Sequence, residues 1–296
     1  MCTEISLGFQ IYSVAKLLHQ AIFLNGTLVN METWPHFTPD RIKLFEKAEQ
    51  SLLRKVLNAH SKTPIECLYL ELGVIPFRFH VMTRRIMFYQ TLLLRDQDEI
   101  TRKFLECQSQ VKLDGDFYVQ VERDFEMLNI PPNTVLSHSK ETLKDLLKKN
   151  IAQQALAYLQ DLAKQHSKVR NEMYTNLHGM AYFFDPRFSP DLANTLFKFR
   201  TRMYNVRNNF RNKYVNTNIL CPLCTLDVDT QEHLLKCTSI QNALHTKHTP
   251  NYEDIFSHDN EILLNIARNL KVVVEVREEL IQGIGEEAEQ EVDPED

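Results

Sequence analysis

The feature that most constrains this chain is a group of three cysteines and one histidine in its last third. The group reads Cys-x2-Cys-x8-His-x3-Cys and consists of Cys221, Cys224, His233 and Cys237. A Cys-x2-Cys turn can bring two thiolates onto one ion, and three sulfurs with one imidazole suit a closed, four-coordinate Zn2+ site. The spacing predicts one structural Zn2+. The alternative is that the thiols and the histidine pack as ordinary core residues.

A helix is expected to present the last two ligands. Asp229 or Thr230 can cap its start, and Asp229 with Glu232 has the capping-box spacing. That helix would carry His233 and Cys237 four residues apart, and therefore on one face. Four protein ligands leave no coordination position open for a reactive water, so the ion is expected to be structural.

A long basic helix is predicted just before the cysteines. Ser189-Pro190-Asp191 is a strong helix start, and apolar residues then recur at helical spacing, which predicts a helix to about residue 213. No acid lies between Leu192 and Lys213. The uniform charge predicts nucleic-acid contacts, with a solvated surface that covers the core as the alternative. The candidate contacts are Lys198, Arg200, Arg202, Arg207, Arg211 and Lys213.

These motifs carry a family resemblance. Residues 196–203, then Cys-Pro-Leu-Cys at 221–224 and Asp-Thr-Gln-Glu-His-Leu-Leu-Lys-Cys at 229–237, resemble the zinc-binding end of non-LTR (LINE-like) retrotransposon reverse transcriptases. Residues 61–78 are similar to the region just after the polymerase core of the same polyproteins. The resemblance covers about residues 5–240. It implies a zinc region that helps to hold template RNA or the target site near the polymerase.

The catalytic signature of that family is missing from the sequence. A polymerase holds two Mg2+ ions on paired aspartates, which this family carries in an aromatic-Ala-Asp-Asp turn, and the chain contains no Asp-Asp dipeptide. Gly-x-Ser-x-Gly, P-loop and His-Glu-x-x-His motifs are also missing. We therefore expect a non-catalytic protein.

Composition and periodicity predict a mainly α fold in two helical regions. Glycine accounts for 7 of 296 residues, well below the usual share of about 7%. The predicted regions are a thumb-side or polymerase-extension-like part at 1–132 and a second part at 133–285 with the zinc module at 218–239, divided at Pro131-Pro132. A disordered acidic tail is predicted at 286–296. The predicted helices span about 5–24 (ended by Asn25-Gly26), 38–57, 63–73, 76–95 (with Arg84 and Arg85 outward), 99–108, 117–128, 139–168 and 189–213.

The cysteine pattern and the hydropathy of the sequence indicate in which cellular compartment the protein is expected. The six cysteines do not form a secreted disulfide pattern, and no apolar run is long enough to span a membrane. The sequence predicts a cytoplasmic or nuclear location. The expected function is a retroelement-derived, zinc-dependent nucleic-acid-binding protein that prefers RNA or single-stranded DNA. The alternatives are a zinc-stabilised module that binds a protein through an apolar surface of its N-terminal region, and an inactive fragment of a reverse transcriptase.

Overall fold

A computed structural model describes residues 12–33, 39–166, 174–214, 219–244 and 250–290, with the backbone alone at 33, 39, 211–214 and 285–290. The chain is mainly α-helical, as predicted, and among the described residues the only β pairing is one isolated bridge. It divides into two compact units. The helical unit comprises Ser13–Leu57 and Pro64–Met180, and the metal unit comprises Ala181 onward with Asn58–Thr63 and Tyr12.

The helical unit is built from ten helical segments and one 3-10 turn (Met31–Thr33) among its described residues. Their boundaries follow local signals: the Ser139 hydroxyl caps the N-terminus of one helix, and Gly73 and Asn129 end two others in the left-handed conformation. The segments are α1 (12–18), a π-helix (His19–Leu24), α2 (Asn25–Thr27), α3 (Pro39–Val56), α4 (Ile65–Leu72), α5 (Phe77–Leu93), α6 (Ile100–Val111), α7 (Phe117–Leu128) and α9 (Lys140–Lys164), and the single turn α8 (Thr134–Ser137) precedes α9.

The main core of the helical unit runs across the prolines at which the sequence predicted a domain division. Phe79 and Ile86 of α5, Phe125 of α7 and Leu147 of α9 are buried in one cluster. Helix α9 packs against both α4 and α5. The predicted division at residue 132 therefore falls inside this unit, because the apolar faces on either side of the prolines bury each other.

The first helix does not break where Asn25-Gly26 predicted. It passes from α1 through the π-helix into α2, and the chain leaves the helical path only at Leu28. Glu49 anchors the π-helix from inside the unit: its carboxylate accepts hydrogen bonds from the Tyr69 hydroxyl and the Phe77 backbone, and its Oε1 lies 2.7 Å from His19 Nε2. These three polar partners offset the free-energy cost of burying the Glu49 carboxylate.

Two arginines of α5 hold the helical unit together instead of facing solvent. Arg85 is buried and forms a bidentate pair with Asp124, with both N–O distances at 2.6 Å. Arg78 pairs with Glu46 in the same two-pronged way. The predicted outward position of Arg85 is therefore wrong, because its guanidinium finds a buried carboxylate on α7.

Residue Gly73 is required by its surroundings. Its φ is 63°, and a Cβ at this position would overlap the backbone of His178 and Gly179. The segment 174–180 is fixed there by a hydrogen bond from the Met180 amide to the Glu71 carbonyl and by the Tyr174 hydroxyl on the Glu71 carboxylate. Tyr174 is buried, so its ring is part of the interior of this unit.

The metal unit is organised by one long helix. Buried residues of α13 recur at helical spacing through Leu263, Ala267, Leu270 and Val273, and α10 and α12 pack against it. The region 272–274 is helical, and α13 runs into the stretch predicted to be a disordered tail. The segments are a 3-10 turn (Ala181–Phe183), α10 (Pro190–Arg200), a 3-10 segment (Arg207–Tyr214), α11 (Gln231–Leu234), α12 (Thr238–Leu244), a 3-10 turn (Tyr252–Phe256) and α13 (Asn260–Gln290).

The long basic helix predicted to reach residue 213 ends at Arg200. Arg202 takes a left-handed φ of 54°, and the amides of Arg202 and Met203 donate to the carbonyls of Phe199 and Lys198. This pair of bonds is a Schellman cap, which turns the chain out of the helix. The basic residues before and after the cap therefore lie on separate elements.

In the described part of the chain, no helix combines the length and the apolar composition needed to cross a membrane.

Candidate metal centre

The first two ligands lie on a tight hairpin. Leu220 and Val228 form an antiparallel bridge, and the Cys221 amide donates to the Asp227 carbonyl at 2.7 Å. Inside the hairpin the Thr225 amide donates to the Cys221 carbonyl, and Thr225 takes a φ of 57°. The turn places Cys221 and Cys224 on the same side of the loop.

The last two ligands lie at the two ends of a short connection between helices. Thr230 caps α11, with its hydroxyl accepting from the His233 amide at 3.0 Å. Helix α11 ends at Leu234, so the prediction of one helix carrying both His233 and Cys237 is wrong. Cys237 instead directly precedes α12, where its carbonyl accepts the Gln241 amide.

The four side chains nevertheless converge. Their ligand atoms all lie within 4.8 Å of one another and could hold one metal ion. The Cys221 and Cys237 sulfurs are 3.8 Å apart, and Cys224 Sγ lies 3.3 Å from His233 Nε2. A tetrahedral site with Zn–S of about 2.3 Å and Zn–N of about 2.0 Å requires about 3.8 Å between sulfurs and about 3.5 Å between sulfur and nitrogen. The observed separations are close to both values.

The centre has a buried side and a partly open side. Cys221 and Cys237 are buried, beside Leu234 and Ile240, whereas Cys224 and His233 are half-buried. The His233 ring has a second polar neighbour, because its Nδ1 lies 3.5 Å from a carboxylate oxygen of Asp227. That arrangement would orient a metal-bound imidazole, with Nε2 toward the ion and Nδ1 toward the carboxylate.

The two hairpin thiols have different electrostatic surroundings. Burial raises the pKa of the Cys221 thiol to about 11. Burial also acts to raise the pKa of Cys224, but backbone hydrogen bonds from Leu226 and Asp227, together with hydrogen bonds from the Cys221 and Cys237 thiols, lower that pKa. Backbone N–H groups pointing at a sulfur stabilise thiolate, which is the form that binds metal.

A buried ion pair fixes the hairpin to the rest of the metal unit. Asp229 is 1% exposed, and one of its carboxylate oxygens accepts both the Arg207 backbone amide at 2.7 Å and Arg277 Nη2 at 2.8 Å. Arg277, on α13, also donates to the Asn205 carbonyl. One charge pair thus connects the hairpin, the turn after α10 and α13.

A buried glutamine positions the start of α11. Gln231 donates to the Phe199 carbonyl at 2.9 Å and accepts from the side chain of Asn209 at 2.9 Å. Sequence reasoning identified Asp229 only as a possible helix cap and did not identify Gln231 or Arg277. A hydrogen-bonding residue just before a ligand helix is a weak signal, and nothing near Arg277 in the sequence indicates its partner.

The basic residues predicted to contact nucleic acid are separated by the fold. Arg200 is 2% exposed, donates to the Ile255 carbonyl and lies over the ring of Tyr182. It is therefore not on the surface, contrary to the prediction of six solvent-facing cations. Arg202 pairs with Glu232 at 2.6 Å.

Of the four remaining candidate nucleic-acid contacts, the structure describes two side chains, those of Lys198 and Arg207. The Arg207 guanidinium donates to the Leu220 carbonyl of the metal hairpin at 3.1 Å. Lys198 is half-buried on α10. The side chains of Arg211 and Lys213 lie outside the described residues. The structure does not gather the described candidates into one basic surface.

Comparison of the chain with protein-family models, with curated proteins and with solved structures found no match. The resemblance to the zinc-binding end of a retrotransposon reverse transcriptase therefore stays a prediction that rests on the quoted residues.

Proposed function

We propose that the protein is a non-catalytic binding module whose metal unit is built around one structural Zn2+. The observation that carries this proposal is the convergence of Cys221, Cys224, His233 and Cys237, with all four ligand atoms within 4.8 Å. Three sulfurs and one imidazole favour Zn2+ over the hard cations that prefer oxygen. Four protein ligands leave no position for an activated water, which argues for a structural ion and agrees with the lack of an Asp-Asp dipeptide.

A bound ion would stabilise residues 219–237, which have little regular secondary structure of their own. Residues 219–237 contain one β bridge and one helical turn, and the hairpin residues from Thr225 to Val228 are exposed. In isolated zinc fingers, metal binding contributes on the order of 10 to 16 kcal/mol to folding at neutral pH. Zn2+ would connect Cys221 and Cys224 of the hairpin to Cys237, which directly precedes α12.

The experiment is metal removal followed by hydrogen exchange. Chelation, or Cys224→Ser, is expected to remove amide protection across 219–241 and to leave α5 and α9 of the helical unit protected. Cys107→Ser provides a matched control, since Cys107 is exposed and lies on α6. Unchanged protection across 219–241 after complete removal of metal would rule out a structural ion.

We favour a protein as the binding partner. An apolar surface on α1 and the π-helix supports this choice: Leu17 is 61% exposed and Ile22 is 67% exposed, with Val14 and Leu18 also exposed. Large exposed apolar side chains that cluster on one short element are typical of interaction sites. This surface belongs to the N-terminal region in which the sequence predicted a possible protein partner.

Nucleic-acid binding, with RNA or single-stranded DNA as ligand and a retroelement as origin, is a second proposal. One observation favours it: Arg207–Tyr214 is a basic segment without acids that lies just before the metal hairpin. Arg200 is buried, Arg202 pairs with Glu232 and Arg207 donates to the Leu220 carbonyl. Three of the six candidates, Lys198, Arg211 and Lys213, then remain for phosphate contacts, so log K against log salt should have a slope of about −2 for a single strand. Lys198→Ala with Arg211→Ala should flatten it by about 1.4. A slope unchanged by the double substitution would exclude this surface.

A further inference from the structure

A long cleft crosses the helical unit beside the exposed apolar surface of its first helix. One wall comes from the segment formed by α1, the π-helix and α2, and the other wall comes from α9. Two adjoining cavities of about 920 Å3 each make up the cleft, and they share lining residues that include Gln20, His80 and Lys148. The shared lining makes them one continuous depression.

The cleft has the length of a short helix. Its α9 wall extends from Glu141 to Leu156, which is about 22 Å at the α-helical rise of 1.5 Å per residue. A partner helix of about 14 residues would match that length. Clefts between helices are a common docking site for a third, amphipathic helix.

The lining of the cleft includes a group of apolar side chains. Leu24 and Ile75 line both cavities, and Leu17 and Ile151 line one of them. Burial lowers the pKa of His80 to about 4, so this imidazole is neutral at pH 7. These residues offer contacts for apolar side chains of a partner.

Positive charge follows the rim along its whole length. Lys144 and Arg84 line one end, Lys148 lies between, and Lys149 and Lys16 line the other end. Only two carboxylates, Glu141 and Asp145, oppose these five cations in the lining. Lys144, Lys148 and Lys149 are exposed and form no ion pair with a described residue.

The same features disfavour single-stranded nucleic acid as the occupant. Non-specific single-strand sites stack bases on aromatic side chains, and the described lining contains no Phe, Tyr or Trp. A lining that combines apolar side chains with an excess of cations instead complements a helix that has an apolar face and acidic flanks.

We propose that this cleft binds an acidic amphipathic helix of about 14 residues from a partner protein. Leucine-type side chains of the partner would enter between α1 and α9, and its flanking carboxylates would face Lys144, Lys148 and Lys149. The assignment rests on the proposed role as a protein-binding module and names the site and the partner chemistry.

The probe is a fluorescent synthetic peptide of about 14 residues with leucines at helical spacing and glutamates elsewhere. A second peptide has every glutamate replaced by lysine, and a third has the composition of the first with the leucine spacing scrambled. Binding to the full chain is measured by anisotropy at low and high salt. The acidic helix should bind at least about tenfold more tightly than either comparison peptide, and salt should weaken it because rim charges are screened.

Charge reversal locates the peptide on the protein. Lys144→Glu with Lys148→Glu should weaken the acidic peptide at least about tenfold and improve the basic one. Lys140→Glu is the matched control, since Lys140 is exposed on the same helix outside the cleft. Leu17→Gln should also weaken binding. Because Leu17 is exposed, the circular dichroism spectrum of this variant should match that of the parent, which separates loss of binding from loss of fold.

Three outcomes would overturn the proposal: equal binding of the scrambled peptide, no effect of the lysine reversals, or displacement of the acidic peptide by a short single-stranded RNA. Hydrogen exchange of the metal unit in the same samples tests the zinc proposal separately. Loss of protection across 219–241 after chelation, without peptide binding, would reject the cleft and keep the zinc centre. Peptide binding with protection unchanged by chelation would keep the cleft and reject the zinc centre.

Discussion

The buried pair of Asp229 and Arg277 gives the sharpest energetic prediction. The two side chains are 1% and 6% exposed, and loss of one partner from such a buried pair typically costs about 3–5 kcal/mol. Asp229→Ala also removes the acceptor of the Arg207 amide. We therefore expect the metal hairpin of the zinc-loaded protein to lose about 4 kcal/mol of local stability.

The assay is hydrogen exchange at the Asn208 amide, which donates to the Asp229 carbonyl. A local readout is needed because the chain has two compact units, so one global free energy of unfolding is not well defined. A loss of about 4 kcal/mol corresponds to exchange about a thousandfold faster. The control is Glu279→Ala, since Glu279 is an exposed acid on α13. It should change the local free energy of opening at the Asn208 amide by less than about 0.5 kcal/mol.

A double variant separates the charge from the hydrogen bonds. Asp229→Ala with Arg277→Met removes the uncompensated charge and should recover part of the loss, on the order of 2 kcal/mol. Recovery should be incomplete because the Arg207 amide and the Asn205 carbonyl lose partners. A loss below about 1 kcal/mol for Asp229→Ala would refute the role given to this pair.

Three further predictions follow from the geometry. Asp227→Asn, which weakens the orientation of His233, should lower metal affinity about tenfold, whereas Asp254→Asn should not, as shown by competition with a chromophoric chelator. Arg85→Met, which leaves Asp124 buried without its partner, should destabilise α5 and α7 by about 3–5 kcal/mol, and an equal effect of the exposed Arg123→Met would contradict this reasoning. The depressed pKa of His80 means that the unfolded chain binds more protons between about pH 4 and about pH 6.5. The helical unit should therefore lose stability as the pH is lowered from about 6.5 to about 4. The loss should be smaller in His80→Gln, while His258→Gln should behave like the parent.

Local signals predicted much of the fold. The helix starts at Ser139 and at Ser189-Pro190 and the helix ends at Gly73 and Asn129 lie at or next to the boundaries that the sequence predicted. Each of these signals depends on residues within one helical turn of the boundary, so a single sequence contains the necessary information.

Errors arose where distant residues decide the structure. The apolar period continues past Arg200, and the helix ends because Arg202 adopts a conformation that usually requires glycine. Arg85 pairs with a carboxylate 39 residues away and Arg277 with one 48 residues away. Neither pairing has a local signal, so the sequence wrongly predicted Arg85 to face outward and did not indicate a role for Arg277.

The candidate metal centre was predictable because its four ligands lie close together in the chain. What the sequence did not give was the outer support by Asp227, Gln231 and Arg277, since these contacts depend on how α10, α11 and α13 pack. The spacing predicted the donor set, and tertiary packing determines how rigidly it is held.

The most direct test of the central claim is zinc K-edge absorption on the purified full chain, together with its metal content. The account predicts one zinc per chain, with three sulfurs at about 2.3 Å and one nitrogen at about 2.0 Å, and loss of one sulfur in Cys224→Ser. A substoichiometric zinc content after refolding with excess Zn2+, or a shell of nitrogen and oxygen without sulfur, would contradict it.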